Sequence, residues 1–346
     1  MTEKRILNAG GQAVIEGVMM RTPDYFVIAV RKPDGTIKVR SRRWENLFPG
    51  IVKKPFLRGM FVLYEAMYNG MQAITWSANE SVEEGKEEDK LTKTGTVMTI
   101  LAAFALAMLL FVALPHGAAY FLEKGIRGET SINSMLFHFI DGVVKVIIFS
   151  LYLWGISKMA EVRRLFSYHG AEHKAITTWE AGEELIPENA RKYPTAHPRC
   201  GTSFMITVIL ISIIVFTVVF AFVPPITGSK LLDNLAYIFI KILLIFPIGG
   251  VSYELQKLVS RFPKSRVLAV MIAPGLWYQR ITTTEPAPDV LEIGLVSLTT
   301  ALDLQEKKAV LPLDGAEEIF HDFAEFRAKM SGALNPAPPE GTPCSI

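Results

Sequence analysis

The chain has few cysteines and little net charge, and each shortage argues against a class of protein. Two of its 346 residues are cysteine, Cys200 and Cys344, and they lie far apart. A disulfide framework is therefore not expected, which fits a reducing compartment. The formal net charge of +2 is too small to predict a nucleic-acid partner. The N-terminus lacks a basic segment followed by an uninterrupted apolar core, so no cleavable signal peptide is predicted.

Long apolar runs are what the sequence has instead. Half of its residues are hydrophobic and the mean hydropathy is +0.29, although 20% of the residues are charged. Four runs have the ~20 apolar residues that a helix needs to cross a bilayer; they are 96–122, 134–157, 202–223 and 235–253. The sequence therefore predicts an α-helical integral membrane protein with about four transmembrane helices and the remaining polar sequence outside the bilayer.

The distribution of lysine and arginine predicts the orientation. The segment 161–201, between the second and third runs, holds six of them, whereas the two other short connections hold three together. Positive charge is retained on the cytoplasmic side of a membrane. We therefore expect a multi-pass protein of the plasma membrane with this segment and both termini in the cytoplasm.

The segments outside the runs show weaker patterns. A small β-hairpin is predicted around the turn Pro33-Asp34-Gly35, and an amphipathic helix over 56–76. The run 267–281 is too short to span and contains Pro274-Gly275, which predicts a broken re-entrant or interfacial segment. One or two soluble helices are expected over 289–331. The predicted regions are the N-terminal region 1–95, helices one and two in 96–157, the loop 158–201, helices three and four in 202–253, the C-terminal region 254–334 and a disordered tail 335–346.

The clearest chemical pattern is His169-Gly-Ala-Glu172-His173. Histidines four residues apart share one face of a helix, so both imidazoles can reach one metal ion. The glutamate between them would act as base toward a water molecule activated by the metal, as in the inverted zincin motif H-x-x-E-H. The alternative is a solvated cytoplasmic helix that holds no metal.

A second candidate lies in the same loop, His197-Pro-Arg-Cys200. Imidazole and thiolate suit zinc and softer metals. Alternatively, Cys200 is a small residue at the entrance of the third transmembrane helix. Near the N-terminus, a lone Glu16 in apolar surroundings needs a partner, either a metal or Arg21, unless it is an exposed residue of a strand.

Three charges fall inside the predicted transmembrane helices: Asp141, Lys145 and Lys241. A lone charge at such depth costs ~2.5–3.5 kcal/mol, so partners are expected. Asp141 and Lys145 are four residues apart on one helix, and Lys241 can join them from a facing helix. A structural ion pair is the favoured interpretation, and a proton or ion path is the alternative.

Several blocks of sequence resemble the YqhQ-like bacterial membrane proteins, a family described as a domain of unknown function. The blocks are GGQAVIEGVMMR at 10–21, YHGAEHKAI at 168–176, HPRCGTSF at 197–204 and APGLWYQRITTTEP at 273–286. The resemblance covers about 5–310 and implies a multi-pass protein and a metal-dependent enzyme without an assigned reaction. It points to the residues Glu16, His169, Glu172, His173, His197, Cys200, Glu254 and Glu285.

The expected function is a metal-dependent membrane hydrolase with a site on the cytoplasmic face and a divalent transition metal, zinc, as cofactor. Its metal ligands are drawn from His169, His173, His197, Cys200, Glu16 and Glu254, with Glu172 as general base. The expected partners are the lipid bilayer and a membrane-protein or peptide substrate. One alternative is a non-enzymatic scaffold or assembly factor for membrane proteins with a structural metal site, and another is an ion-coupled transporter.

Overall fold

A computed structural model describes residues 9–45, 47–48, 58–82, 92–128, 134–224, 226–227, 229–262, 265–312 and 314–331. The predicted tail 335–346 and most of the segment 81–90 lie outside the described residues. The helices are α1 (Arg58–Glu80), α2 (Lys93–Met108), α3 (Leu114–Arg127), α4 (Met135–Ile156), α5 (Ala160–Glu180), α6 (Pro187–Ala190), α7 (Gly201–Phe220), α8 (Lys230–Arg261), α9 (Arg266–Thr282), α10 (Pro288–Lys307) and α11 (Phe323–Ser331). The strands are β1 (Gly10–Val14), β2 (Gly17–Arg21), β3 (Tyr25–Arg31), β4 (Ile37–Arg43) and β5 (Ala316–Phe320).

The four predicted membrane helices are present. Helical segments long and apolar enough to cross a bilayer cover Thr94–Arg127, Met135–Ile156, Gly201–Phe220 and Leu235–Val259. In the first of them, a π-helical turn at Leu109–Ala113 joins α2 to α3. Pro115 lies two residues after this turn, and because proline has no N–H it disturbs the regular helical hydrogen bonds around it. The chain is a membrane protein by the length and composition of these helices.

The predicted hairpin is part of a larger sheet. The five strands pair antiparallel in the order β1-β2-β3-β4-β5. The predicted turn connects β3 to β4, and the Asp34 carboxylate accepts a hydrogen bond from the Thr36 amide at 2.9 Å. The sequence prediction missed β5, which comes from the C-terminal region and pairs with β4. Pairing between segments so far apart leaves no local signal.

One core joins three segments that are distant in the chain. Apolar residues of β2 and β3 pack against Tyr168 and Ala171 of α5 and against Leu291 and Leu295 of α10. Full burial of such a side chain stabilises the fold by about 1.5–3 kcal/mol. The opposite face of the sheet packs against α1. The helix with the H-x-x-E-H motif therefore packs against both the sheet and α10.

The helix carrying the histidines is separate from the second transmembrane helix, because α4 ends at Ile156 and α5 begins at Ala160. One predicted detail is wrong: the run 267–281 is not broken at Pro274, which lies inside the continuous helix α9. Tight packing holds α9 in place, since a Cβ added to Gly275 would lie 2.7 Å from Ser203 of α7.

The predicted contacts of the intramembrane charges are confirmed. The Asp141 carboxylate is 2.6 Å from the Lys145 ammonium and 3.6 Å from the Lys241 ammonium. The Lys241 nitrogen also lies 5.8–5.9 Å from the ring centres of Phe137, Phe216 and Phe220. Cation–π contacts at this distance are favourable when the cation is desolvated. The arrangement favours a structural ion pair.

Candidate metal centre

The motif histidines and Cys200 converge at the junction between α5 and α7. His169 and His173 share one face of α5, and their ring centres are 4.4 Å apart. Cys200 is the N-cap of α7, where its sulfur accepts a hydrogen bond from the Thr202 amide at 3.3 Å. The Cys200 sulfur and one nitrogen of each histidine all lie within 4.8 Å of one another. These three side chains could therefore hold one metal ion.

Backbone carbonyls orient both histidine rings. The Nδ1 atom of His169 lies 2.8 Å from the Thr282 carbonyl oxygen, and that of His173 lies 2.5 Å from the Thr195 carbonyl oxygen. Because a carbonyl can only accept, each Nδ1 carries the proton and each Nε2 directs a lone pair into the cluster, where that of His169 accepts the Cys200 S–H. The Nε2 atom of His169 is 3.1 Å from the Cys200 sulfur, and that of His173 has no hydrogen-bond partner among the described residues. Metal-binding histidines typically show this arrangement.

The ionisation of the cluster also fits metal binding. Burial lowers the pKa of His173, which keeps its imidazole neutral. Burial alone would raise the pKa of the Cys200 thiol, but the contacts with His173 and with the Thr202 amide outweigh it and lower the pKa. A neutral imidazole is the form that binds a metal, and a lowered thiol pKa makes it easier to lose the proton that a metal displaces.

Glu172 lies beside the cluster with one oxygen unsatisfied. Its side chain is 5% exposed, and its carboxyl group accepts a hydrogen bond from the Gly11 amide of β1. The Oε2 atom has no hydrogen-bond partner among the described residues. Burial raises the pKa of Glu172 to about 8. A carboxyl group with a pKa near neutrality can both take up and release a proton, as a general base and acid must.

His197 lies next to this group but is directed away from it. Its ring centre is 5.6 Å from that of His173. Its Nδ1 atom accepts a hydrogen bond from the Arg199 amide, so Nε2 carries the proton and faces Glu180 at 3.3 Å. The lone pair that a metal would need is thus occupied. Burial lowers the pKa of His197 to about 4.

The two predicted glutamate ligands pair with arginines instead. Glu16 lies in the β1–β2 turn, and its carboxylate accepts hydrogen bonds from Nε and Nη2 of Arg164, each at 2.5 Å. Its partner is therefore Arg164 and not the predicted Arg21. Glu254 receives two hydrogen bonds from Arg58, at 2.7 and 2.6 Å. Neither glutamate belongs to the three-residue group. Glu285, to which the resemblance also points, does not belong to it either and is ion-paired with the buried Lys174 at 2.7 Å.

Sequence reasoning missed the residues that position the site. Gln279 is fully buried; its Oε1 accepts from the His197 amide at 2.8 Å, and its Nε2 donates to the His197 carbonyl at 2.9 Å and to Ser203 Oγ at 2.7 Å. These hydrogen bonds connect α9 to the turn that precedes Cys200. The carbonyls of Thr195 and Thr282 are backbone groups, so they have no signature in the sequence. The signal that could have found Gln279 is its place in the block 273–286, which carries the family resemblance.

The three donors suit zinc. Two imidazole nitrogens and one thiolate are borderline-soft ligands of the kind that zinc prefers. Three protein ligands leave a fourth tetrahedral position open, which is typical of catalytic zinc sites, whereas structural sites have four.

Comparison with known proteins places the chain in a family. A family profile described as "Protein of unknown function (DUF1385)" matches residues 54–304, a range that includes the whole cluster. The chain is 32% identical over 311 residues to "Uncharacterized protein YqhQ" of Bacillus subtilis (strain 168), which covers 86% of this chain and 92% of that protein. No solved structure matches the chain. The chain therefore belongs to the DUF1385 family.

Proposed function

We propose that this protein is a metal-dependent membrane hydrolase in which His169, His173 and Cys200 hold a zinc ion and Glu172 transfers protons. The observation that carries the proposal is the convergence of two oriented Nε2 lone pairs on one thiol, beside a buried carboxyl group with an unpaired oxygen. A bound zinc ion would supply acidification of water and polarisation of a carbonyl group.

The protein groups have separate tasks in this proposal. The Thr282 and Thr195 carbonyls hold the imidazole rings so that the metal-binding nitrogens do not rotate away. The Gly11 amide holds the Glu172 carboxyl group in place. Glu172 would take a proton from the attacking water and pass it to the leaving group. Removing this carboxylate while keeping its shape should therefore stop turnover without releasing the metal.

We also propose that the site faces the cytoplasm. The sheet, α5 and α10 share one core, although two candidate membrane helices separate the sheet from α5 and two more separate α5 from α10. Such packing supports an even number of crossings and a common side for these three segments. The excess of lysine and arginine in 161–201 favours the cytoplasmic side.

The test is elemental analysis of purified protein in detergent, combined with variants that separate binding from chemistry. His169→Ala and Cys200→Ser should each lose most of the bound zinc. Glu172→Gln should keep it and lose hydrolysis of p-nitrophenyl acetate. Glu16→Gln and Glu254→Gln serve as matched controls and should keep near-stoichiometric zinc. A metal-free wild type after zinc addition, or a fully active Glu172→Gln, would refute the proposal.

A second candidate function is a non-enzymatic scaffold for membrane proteins with a structural metal. The burial of the cluster favours this candidate, because His173 is 1% exposed and Cys200 is 5% exposed. A structural site would be four-coordinate and would give no turnover. X-ray absorption spectroscopy of the zinc-loaded protein separates the two, since a fourth protein ligand supports the scaffold and an exchangeable oxygen ligand supports the hydrolase.

A further inference from the structure

Strand β1 lies at the edge of the sheet, and its outward backbone groups can be assigned. The Arg31 amide donates to the Glu16 carbonyl at 2.9 Å, so residues 16, 18 and 20 direct their backbone groups toward β3. Residues 17, 19 and 21 therefore direct theirs toward β1, where they pair with Val14, Gln12 and Gly10. The remaining residues of β1, Gly11 and Ala13, direct their N–H and C=O groups away from the sheet.

This edge leads directly to the candidate site. The outward amide of Gly11 is the one that hydrogen-bonds to Glu172, which agrees with the assignment from the pairing. Ala13 lies two residues further along β1. Its outward N–H and C=O are the next groups that can form a pair of hydrogen bonds with an added strand. A Cβ added to Gly11 would lie 3.2 Å from Glu172 Cγ, so a side chain at that position would press on the carboxyl group. In the part of the chain that the structure describes, no further strand pairs with β1.

We infer that β1 binds an extended peptide segment of a protein substrate as an additional strand, which deepens the proposed hydrolase function and rests on it. Edge strands bind peptides through main-chain hydrogen bonds, independently of most side chains. A segment paired with Ala13 would carry its next backbone carbonyls past Glu172 and the His169–His173–Cys200 group. The site would thus act on peptide bonds in unfolded or extended segments.

The reaction is hydrolysis of a peptide bond. The oxygen of water bonds to the peptide carbonyl carbon, and Glu172 accepts the proton that the water loses. The carbon–nitrogen bond then breaks, and Glu172 returns the proton to the leaving nitrogen. The products are a carboxyl terminus and an amino terminus, and no oxidant or other co-reactant is consumed.

The test removes the outward donor of Ala13. In Ala13→Pro the missing N–H is one that points away from β2, so the hydrogen bonds to β2 are kept, and proline is tolerated at such edge positions. Ala13→Val is the matched control, because it adds similar bulk and keeps the N–H. Zinc-loaded wild type, both variants and Glu172→Gln are assayed with fluorescein-labelled casein, an unstructured protein, and with p-nitrophenyl acetate, which is too small to pair with a strand.

Loss of one main-chain hydrogen bond should lower the rate of casein cleavage by Ala13→Pro about tenfold, while its ester hydrolysis and zinc content match those of Ala13→Val. Glu172→Gln should lose both activities. Equal casein cleavage by the two Ala13 variants would overturn the edge-binding inference. Ester hydrolysis without any casein cleavage by wild type would overturn it too and leave the hydrolase standing. Inactivity of wild type on both substrates would refute the hydrolase itself.

Discussion

Replacing Glu172 by glutamine should stabilise the metal-free protein, and the gain should grow as the pH rises. In the folded protein, burial raises the pKa of this carboxyl group from the ordinary value of 4.5 to about 8. Between these values the unfolded chain has released the proton while the folded protein still holds it. The free energy of unfolding is therefore unaffected by this group below about pH 4.5. It falls as the pH rises from there and levels off once the pH has passed about 8.

The size of the effect follows from the two pKa values. A difference of one in pKa corresponds to about 1.4 kcal/mol. The folded wild type should therefore be destabilised by about 1 kcal/mol at pH 5, about 3 kcal/mol at pH 7 and about 5 kcal/mol above pH 9 relative to a chain without this ionisation. Glutamine has nearly the same shape and does not ionise, so it should recover these amounts.

The assay is thermal unfolding in detergent with a strong chelator present, for wild type and Glu172→Gln side by side from pH 5 to 9. A chelator is needed because a bound divalent cation would favour the carboxylate and reduce the difference. His321 is exposed and lies outside the candidate site, so His321→Gln serves as the control substitution. A stability difference between wild type and Glu172→Gln that stays constant over this pH range would refute the reasoning about the buried carboxyl group.

Two further substitutions test the packing on either side of the site. Gly170→Ala would place a Cβ 2.2 Å from the Thr284 carbonyl oxygen, whereas Gly10→Ala would meet no atom of the described residues within 4 Å. Thermal unfolding should show a loss of about 1–3 kcal/mol for the first variant and almost none for the second. Equal losses would contradict the packing described. Asp141→Asn would remove the counter-ion of Lys145 and Lys241 and should cost about 3–5 kcal/mol. Adding Lys241→Met should restore part of that loss in the same assay, and an unchanged midpoint in the single variant would contradict the cluster.

The membrane helices and the histidine pair could be predicted because both are local patterns. An apolar run long enough to span a bilayer has essentially one structure available to it, and a spacing of four fixes two side chains on one helical face. The turn between β3 and β4 was predictable for the same reason, since Asp34 and Gly35 specify it locally.

The rest depends on contacts between distant segments. Glu16 and Glu254 are each a lone acid in the sequence, and nothing local indicates that Arg164 and Arg58 are their partners rather than a metal. His197 has a nitrogen atom that could bind a metal, but the hydrogen bond from the Arg199 amide fixes its ring in an orientation that does not suit binding. Strand β5 contains two glutamates in five residues, so its sequence alone gives a weak strand signal.

The position of β5 has a consequence for biosynthesis. The sheet begins to form from the first 43 residues, but its last strand is synthesised only after all four candidate membrane helices. Pairing across such a sequence separation is slow, and domains emerge from the ribosome from the N-terminus onward. Helix α10, which packs on both α5 and the sheet, is delayed in the same way. The sheet and the helix that carries the histidines can therefore be fully packed only after the chain has been inserted into the membrane.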